Sequence, residues 1–107
     1  MHRELIFAPE ADEQLAYLEN SPAHKGALKQ VRKVLGYLET NFKAKSLRIH
    51  PFESLTKRYG IPVFQAYAQQ NTPGAYRVFW HYGPDGEDKN GKRIPIITVI
   101  NITKHPK

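Results

Sequence analysis

Three segments in the last 45 residues of this 107-residue chain constrain its fold most, because each is rich in β-branched and aromatic residues. They are VFQAYA (63–68), AYRVFWHY (75–82) and IITVINIT (96–103). The connection QQNTPG has the length of a hairpin, and GPDGEDKNGKR is a longer charged tip. The three segments predict an antiparallel meander.

The preceding residues predict one strand, two helices and a loop. ELIFA (4–8) predicts a short strand that ends at a proline, and residues 10–20 predict a short helix with acids in its first turn. A long amphipathic helix over 22–40 follows from apolar residues at steps of three or four, namely Leu28, Val31, Leu35, Leu38 and Phe42. Residues 41–62 lose this period and predict a long structured loop, with one short strand near 47–49.

The order β-α-α-β-β-β predicts an α+β fold, in which two N-terminal helices pack on one face of a small antiparallel β-sheet. The length suits one hydrophobic core, so residues 1–107 are expected to form a single domain.

The chain contains no cysteine, and its five histidines lie far apart in sequence. A disulfide framework, a thiolate zinc site and a cysteine nucleophile are therefore excluded, and the histidine spacing predicts no preformed metal site. We expect chemistry that needs no metal and no other cofactor. The absence of an apolar run of about 18 residues favours a soluble, cytoplasmic protein with no membrane partner.

The net charge of +6 is unevenly distributed along the chain. Residues 1–21 carry one basic and five acidic side chains, whereas residues 22–60 carry nine basic and two acidic ones. Such clustering favours a polyanionic partner, which charge alone leaves open as RNA, DNA or an acidic protein segment. The alternative is a basic surface that serves only solubility, and we favour this for the outer face of the long helix.

The segment AYRVFWHY places an arginine within an otherwise apolar strand. Alternation puts Val78 and Trp80 on the face that packs on the helices. In the last segment it puts Ile100 on the helix side and Val99 on the other. The sheet face away from the helices is then expected to carry Arg77, His81, Asn101, Thr103 and His105.

Two partners are open for Arg77. It could form a salt bridge or donate to a loop carbonyl, or it could bind a phosphate through bidentate hydrogen bonds. Acids after residue 60 occur only in the charged tip, at Asp85, Glu87 and Asp88. The sequence therefore favours a phosphate. His105 could act in proton transfer or be a frayed residue without a role.

The order of elements, the GAYRVFW strand and the tail INITKHPK together resemble the RelE/ParE superfamily of type II toxin-antitoxin toxins. SLRIHPFESL followed by VFQAYAQQNTPGAYRVFWHYGPDG is similar to a RelE-type subgroup of cytotoxic translational repressors. The resemblance implies a RelE-like fold and a cognate antitoxin as partner. It also implies either an endoribonuclease (mRNA interferase) that cuts mRNA on the ribosome without metal, or a ParE-type poison of DNA gyrase.

The resemblance implies roles for individual residues. Arg77 would stabilise the phosphate, His105 would act as acid or base, and His50 is a second candidate for proton transfer. RNA would be attracted by a basic set comprising Arg48, Lys57, Arg58, Lys104 and Lys107. Cleaving relatives often place Lys or Glu on the second strand of the chain, where VFQAYA offers only Gln65 and Tyr67. A non-cleaving gyrase poison or an RNA-binding module without catalysis therefore stays open.

Overall fold

The structure is a computed structural model that describes residues 3–40, 47–69 and 75–105. Its α-helices are α1 (Pro9–Glu19), α2 (Lys25–Thr40) and α3 (Glu53–Tyr59), and a 3-10 turn at Pro22–His24 precedes α2. Its strands are β1 (Glu4–Phe7), β2 (His50–Pro51), β3 (Phe64–Tyr67), β4 (Arg77–Tyr82), β5 (Gly86–Glu87), β6 (Arg93–Ile94) and β7 (Ile96–Thr103).

Five strands form one sheet in the order β1-β7-β4-β3-β2, and β5 pairs with β6 in a separate two-stranded ribbon. The pairs β3/β4 and β4/β7 are antiparallel, which confirms the predicted meander. The α+β class is also confirmed. The sheet is mixed rather than purely antiparallel, because the edge strand β1 runs parallel to β7. The spacing of apolar residues in a sequence does not indicate the direction of a strand. The direction of β1 relative to β7 depends on the path of the chain through α1 and α2, which follow β1.

The main core lies between the sheet and the two N-terminal helices. Val31 and Leu38 of α2 are fully buried, and they belong to one cluster with Val78 and Trp80 of β4. The apolar residues of α2, spaced three or four apart, therefore pack against alternate residues of β4, as the sequence predicted for both elements. Burial of such large apolar side chains stabilises this packing by roughly 1.5–3 kcal/mol per side chain.

The middle of the opposite sheet face is covered by α3, so the loop predicted over 41–62 is wrong where this helix forms. Leu55 of α3 is buried in a second cluster with Val63, Phe79 and Ile100. A seven-residue helix with one buried residue gives no measurable period, which explains why the pattern did not reveal it. The helix ends at Gly60, whose φ of 73° is in the left-handed region that glycine adopts without strain. The short strand forms at His50–Pro51 rather than at 47–49.

A β-bulge interrupts the pairing of β4 with β7. Phe79 pairs with Asn101 and Trp80 pairs with Val99, which leaves Ile100 as the extra residue. Side-chain alternation reverses across a bulge, so Val99 packs under α1 and α2 while Ile100 packs beside Phe79 under α3. The predicted faces of Val99 and Ile100 are therefore wrong, because simple alternation assumes an unbroken ladder.

Candidate nucleic-acid interface around Arg77

Arg77 begins β4 and is held from several sides. Its Nη1 donates to Oε1 of Gln65 at 2.9 Å, and its Nη2 donates to the backbone carbonyl of Lys104 at 2.8 Å. The guanidinium carbon also lies over three aromatic rings, at 5.6 Å from the centroid of Phe52, 5.6 Å from that of Tyr67 and 5.1 Å from that of Phe79. Rings pack against the guanidinium at cation–π distance, so a ligand would bind through the N–H groups along its edge.

The strand register explains these contacts. Tyr67, Arg77 and Thr103 form one cross-strand row over β3, β4 and β7. Gln65 and Phe79 form the next row on the same sheet face, two residues further along the strands. Residues in neighbouring rows of one face lie within reach of long side chains, so Gln65 meets the guanidinium diagonally.

Of the two kinds of partner considered for Arg77, the structure contains the loop carbonyl, because the guanidinium donates to the carbonyl of Lys104. No carboxylate of the described residues pairs with Arg77, whereas ion pairs form elsewhere at Arg32–Glu19, Lys57–Glu53 and Arg93–Asp85. The charge of this half-buried guanidinium is therefore not neutralised by a described side chain. Such a charge favours an anionic ligand at the same place.

The two candidate histidines lie on opposite sides of Arg77. His50 on β2 pairs with Gln65 and is exposed, on the same sheet face as Phe79. His105 is exposed two residues beyond Thr103, the cross-strand partner of Arg77. Since β7 and β2 lie on either side of β4 and β3, the histidines flank the guanidinium. The backbones of β2 and β4 are about 10 Å apart, because two strand spacings separate them.

Two residues expected to be exposed on this sheet face, His81 and Asn101, are buried. His81 is 8% exposed and lies 6.4 Å from the ring of Tyr59, at the C-terminal end of α3. Asn101 is 3% exposed, and its Oδ1 accepts from Nε2 of Gln14 in α1 at 3.3 Å. The face is therefore not free of helices as predicted, because α3 covers its middle. Arg77 and Thr103 share a row at its uncovered end.

Three members of the predicted basic set lie on or next to α3. Lys57 and Arg58 are exposed in its last turn, and Lys57 pairs with Glu53 at 3.6 Å. Arg48 is exposed just before β2, with a φ of 48°. Solvent screening makes the Lys57–Glu53 pair worth little, so a polyanion can replace Glu53 as the partner of Lys57.

The backbone carbonyl and the side-chain ammonium of Lys104 lie toward different faces of the sheet. Its carbonyl binds Arg77, whereas its Nζ lies 5.3 Å from the ring centroid of Tyr76, next to the main core. Burial raises the pKa of the Tyr76 hydroxyl, and the nearby Tyr17 raises it further. The ammonium of Lys104 is therefore directed away from Arg77. Lys107, the last member of the basic set, lies outside the described residues.

The residues that hold Arg77 were not assigned from sequence. Tyr67 could have been placed beside it, because the two residues are almost equally distant from the hairpin connection between their strands. Phe52 gave no signal, since it reaches Arg77 only through the placement of α3 on the sheet.

Within the described ranges, no group of three or more His, Asp or Glu side chains could hold a metal ion. In the same part of the chain, no helix is both long and apolar enough to cross a membrane.

Two N-terminal helices lie on one face of a small sheet whose meander ends in β7, and this arrangement is consistent with a RelE-like fold. The structure is similar to a chain of the YoeB-YefM complex from Staphylococcus aureus, with a TM-score of 0.61 and 14% sequence identity. The similarity covers 99% of this chain and 100% of that chain. No family model matches the sequence, and no curated protein matches it.

Proposed function

We propose that the protein is the toxin of a type II toxin-antitoxin system and inhibits translation by cleaving mRNA on the ribosome. The observation that carries the proposal is the guanidinium of Arg77, which has no described carboxylate partner. Its strand β4 lies between β2, which carries the exposed His50, and β7, which the exposed His105 follows. The RelE-like fold and its similarity to a chain of a toxin-antitoxin complex support the same class of protein.

The reaction would be an internal transfer at one phosphodiester. The 2′-hydroxyl of the RNA loses its proton to a base and attacks the adjacent phosphorus, and the bond from phosphorus to the 5′-oxygen breaks. That leaving oxygen takes a proton from an acid, so the products are a 2′,3′-cyclic phosphate and a 5′-hydroxyl end. Histidine suits both proton transfers, because its ordinary pKa lies near neutrality.

Arg77 would stabilise the negative charge that grows on the phosphate oxygens in the transition state. Its N–H edge is oriented in advance by Gln65 and the Lys104 carbonyl, so little reorganisation is needed during the reaction. His105 would act on one side of the phosphate and His50 on the other, as their positions relative to Arg77 suggest. An in-line displacement needs the base and the acid on opposite sides.

The same surface suggests the partners. Arg48, Lys57 and Arg58 would attract the phosphates of mRNA and of the ribosome. A cognate antitoxin would silence the toxin by covering these cations and Arg77. The similarity to a chain of the YoeB-YefM complex supports a cognate antitoxin as partner.

A second candidate function is a ParE-type gyrase poison that does not cleave RNA. The observation that favours it is the β3 strand, which offers Gln65 and Tyr67 where cleaving relatives place Lys or Glu. Gln65 has no titratable group, and the ordinary pKa of a tyrosine is about 10. Proton transfer would then depend on His50 and His105 alone.

A translation extract distinguishes these functions. Purified protein is added, and the 5′ ends of the mRNA are mapped by primer extension. Codon-linked cleavage is expected for the wild type, and its loss is expected for Arg77→Ala and for His105→Gln. The matched control Lys89→Gln removes an exposed charge from the ribbon and should cleave at the wild-type rate.

Three results would contradict the assignment. Unchanged cleavage in Arg77→Ala and His105→Gln would show that the site lies elsewhere. Intact mRNA combined with DNA breaks after induction would show the gyrase function. Intact mRNA without DNA breaks would leave RNA binding without catalysis, which a gel-shift assay with the same mRNA would detect.

A further inference from the structure

An open cavity of about 520 Å³ lies at the other end of β4 from Arg77. It is lined by Arg3, Tyr82, Gly83, Asp85 and Arg93. Tyr82 ends the strand that Arg77 begins, so the two Cα atoms are about 16 Å apart along β4. The cavity is therefore separate from the candidate interface and is not used in the reaction proposed above.

Arg93 is held in this cavity by a carboxylate that is itself fixed by the backbone. Its Nε donates to Oδ2 of Asp85 at 2.5 Å, while Oδ1 accepts from the N–H of Ile96 at 3.1 Å. The hydrogen bond from Ile96, and then that from Arg93, lower the pKa of Asp85. Both carboxylate oxygens are thus engaged within the protein, so Asp85 orients Arg93 rather than offering a cation site. The Arg93 side chain stays 77% exposed.

The second guanidinium of the cavity is stacked on an aromatic ring. The guanidinium carbon of Arg3 lies 5.3 Å from the ring centroid of Tyr82, and that ring packs against Phe64 at 5.3 Å. The lining carries two arginines and one acid, which gives it one net positive charge. Planar guanidinium groups match the spacing of phosphate oxygens better than an ammonium does.

We propose that this cavity is a second phosphate-binding site, which takes a phosphate group through Arg93 and Arg3 independently of Arg77. The phosphate belongs either to the backbone of single-stranded RNA or to a free nucleotide or phosphate ion. The proposal goes beyond mRNA cleavage, because it needs no reaction at the bound phosphate.

The test is an NMR titration of the ¹⁵N-labelled full-length Arg77→Gln variant, in which the first site is weakened. One arm adds inorganic phosphate, and the other adds a short single-stranded RNA. Saturable shifts are expected at the amides of Gly83 and Ile96 and at the Nε–H of Arg93. Adding Arg93→Gln should weaken binding at least tenfold, whereas the control Lys89→Gln should stay within twofold.

The salt dependence gives a second readout. If an RNA phosphate occupies the cavity, Arg93→Gln should lower the slope of log affinity against log salt by about 0.7, the value for one contact with a single strand. Arg93→Lys keeps the charge and loses the planar group. Its affinity should therefore lie between that of the protein with Arg93 intact and that of the Arg93→Gln variant. This variant also separates ligand loss from misfolding.

The two arms identify the source of the phosphate. RNA that saturates at lower concentration than phosphate supports the backbone, and saturation by phosphate alone supports a small ligand. The proposal is overturned if neither ligand gives saturable shifts, or if Arg93→Gln and Lys89→Gln weaken binding equally. The titration uses a protein without Arg77, so a failure to bind phosphate would not count against the cleavage proposal. In the same way, absence of mRNA cleavage would not count against phosphate binding in this cavity.

Discussion

Replacement of Arg77 by methionine should destabilise the folded protein as well as remove a phosphate ligand. The substitution keeps an apolar stem against the rings and removes two hydrogen bonds, to Gln65 and to the Lys104 carbonyl. Neither acceptor is fully buried, so water can replace the lost donor and no unsatisfied group adds to the cost.

The magnitude follows from the individual contacts. The two hydrogen bonds are each worth about 0.5–1.5 kcal/mol. The cation–π contacts add about 0.5–1 kcal/mol at a partly exposed site. The free energy of unfolding should therefore fall by about 2 kcal/mol after allowance for the retained stem. For a domain of this size that corresponds to a fall in Tm of roughly 8–16 °C.

Urea unfolding measures this loss through the fluorescence of Trp80, which is the single tryptophan of the chain and is fully buried. Lys33→Met on the exposed face of α2 is the matched control and should change stability by no more than about 0.5 kcal/mol. A double-mutant cycle with Gln65→Ala should give a coupling of about 1 kcal/mol. A coupling of zero, or equal losses for Arg77→Met and Lys33→Met, would refute the view that these contacts hold Arg77.

Three further changes test the surrounding structure. Leu55→Ala should cost about 2–5 kcal/mol by urea unfolding, because it opens a cavity between α3 and the sheet, while the exposed Ser54→Ala should be nearly neutral. Gln14→Ala removes the acceptor of the Ile102 N–H at 2.6 Å, so amide exchange at Ile102 should quicken, unlike in the exposed control Glu13→Ala. Asp85→Asn should destabilise at neutral pH, because the lowered pKa means that folding favours the carboxylate. The difference in stability between Asp85→Asn and the wild type should shrink as the pH falls below 3.8, the ordinary pKa of an aspartate, and acid unfolding curves measure it. A difference that persists at lower pH would contradict the link between this pKa and stability.

Much of the fold could be predicted because its signals are local. The apolar residues of α2 recur at the helical period, and the three segments of the meander are separated by turn residues. Alternation within β4 correctly separated Trp80, in the main core, from Arg77 on the other face. Arg77 could be nominated for the same reason, and His105 as a residue that follows the last strand. His50 lies in a segment predicted as a loop, and only the family resemblance implied a role for it.

The remaining features depend on contacts between distant parts of the chain. α3 is stabilised by Leu55 against Phe79, and a single buried residue leaves no pattern in the sequence. The bulge at Ile100 changes the face of neighbouring residues without changing the composition of β7. The loop that the sequence predicts over residues 41–62 therefore contains a helix, and that helix covers part of the sheet face predicted to be free of helices.

The sequence by itself determined the two N-terminal helices, the order of the meander, the basic middle segment and the side of β4 on which Arg77 lies. Those properties follow from side-chain periods and charges that are read along one element. Only the tertiary structure decided that Phe52, Gln65 and the Lys104 carbonyl hold the guanidinium, and that a second cavity forms between Arg3 and Arg93. Their positions depend on how separate elements pack, which no local pattern encodes.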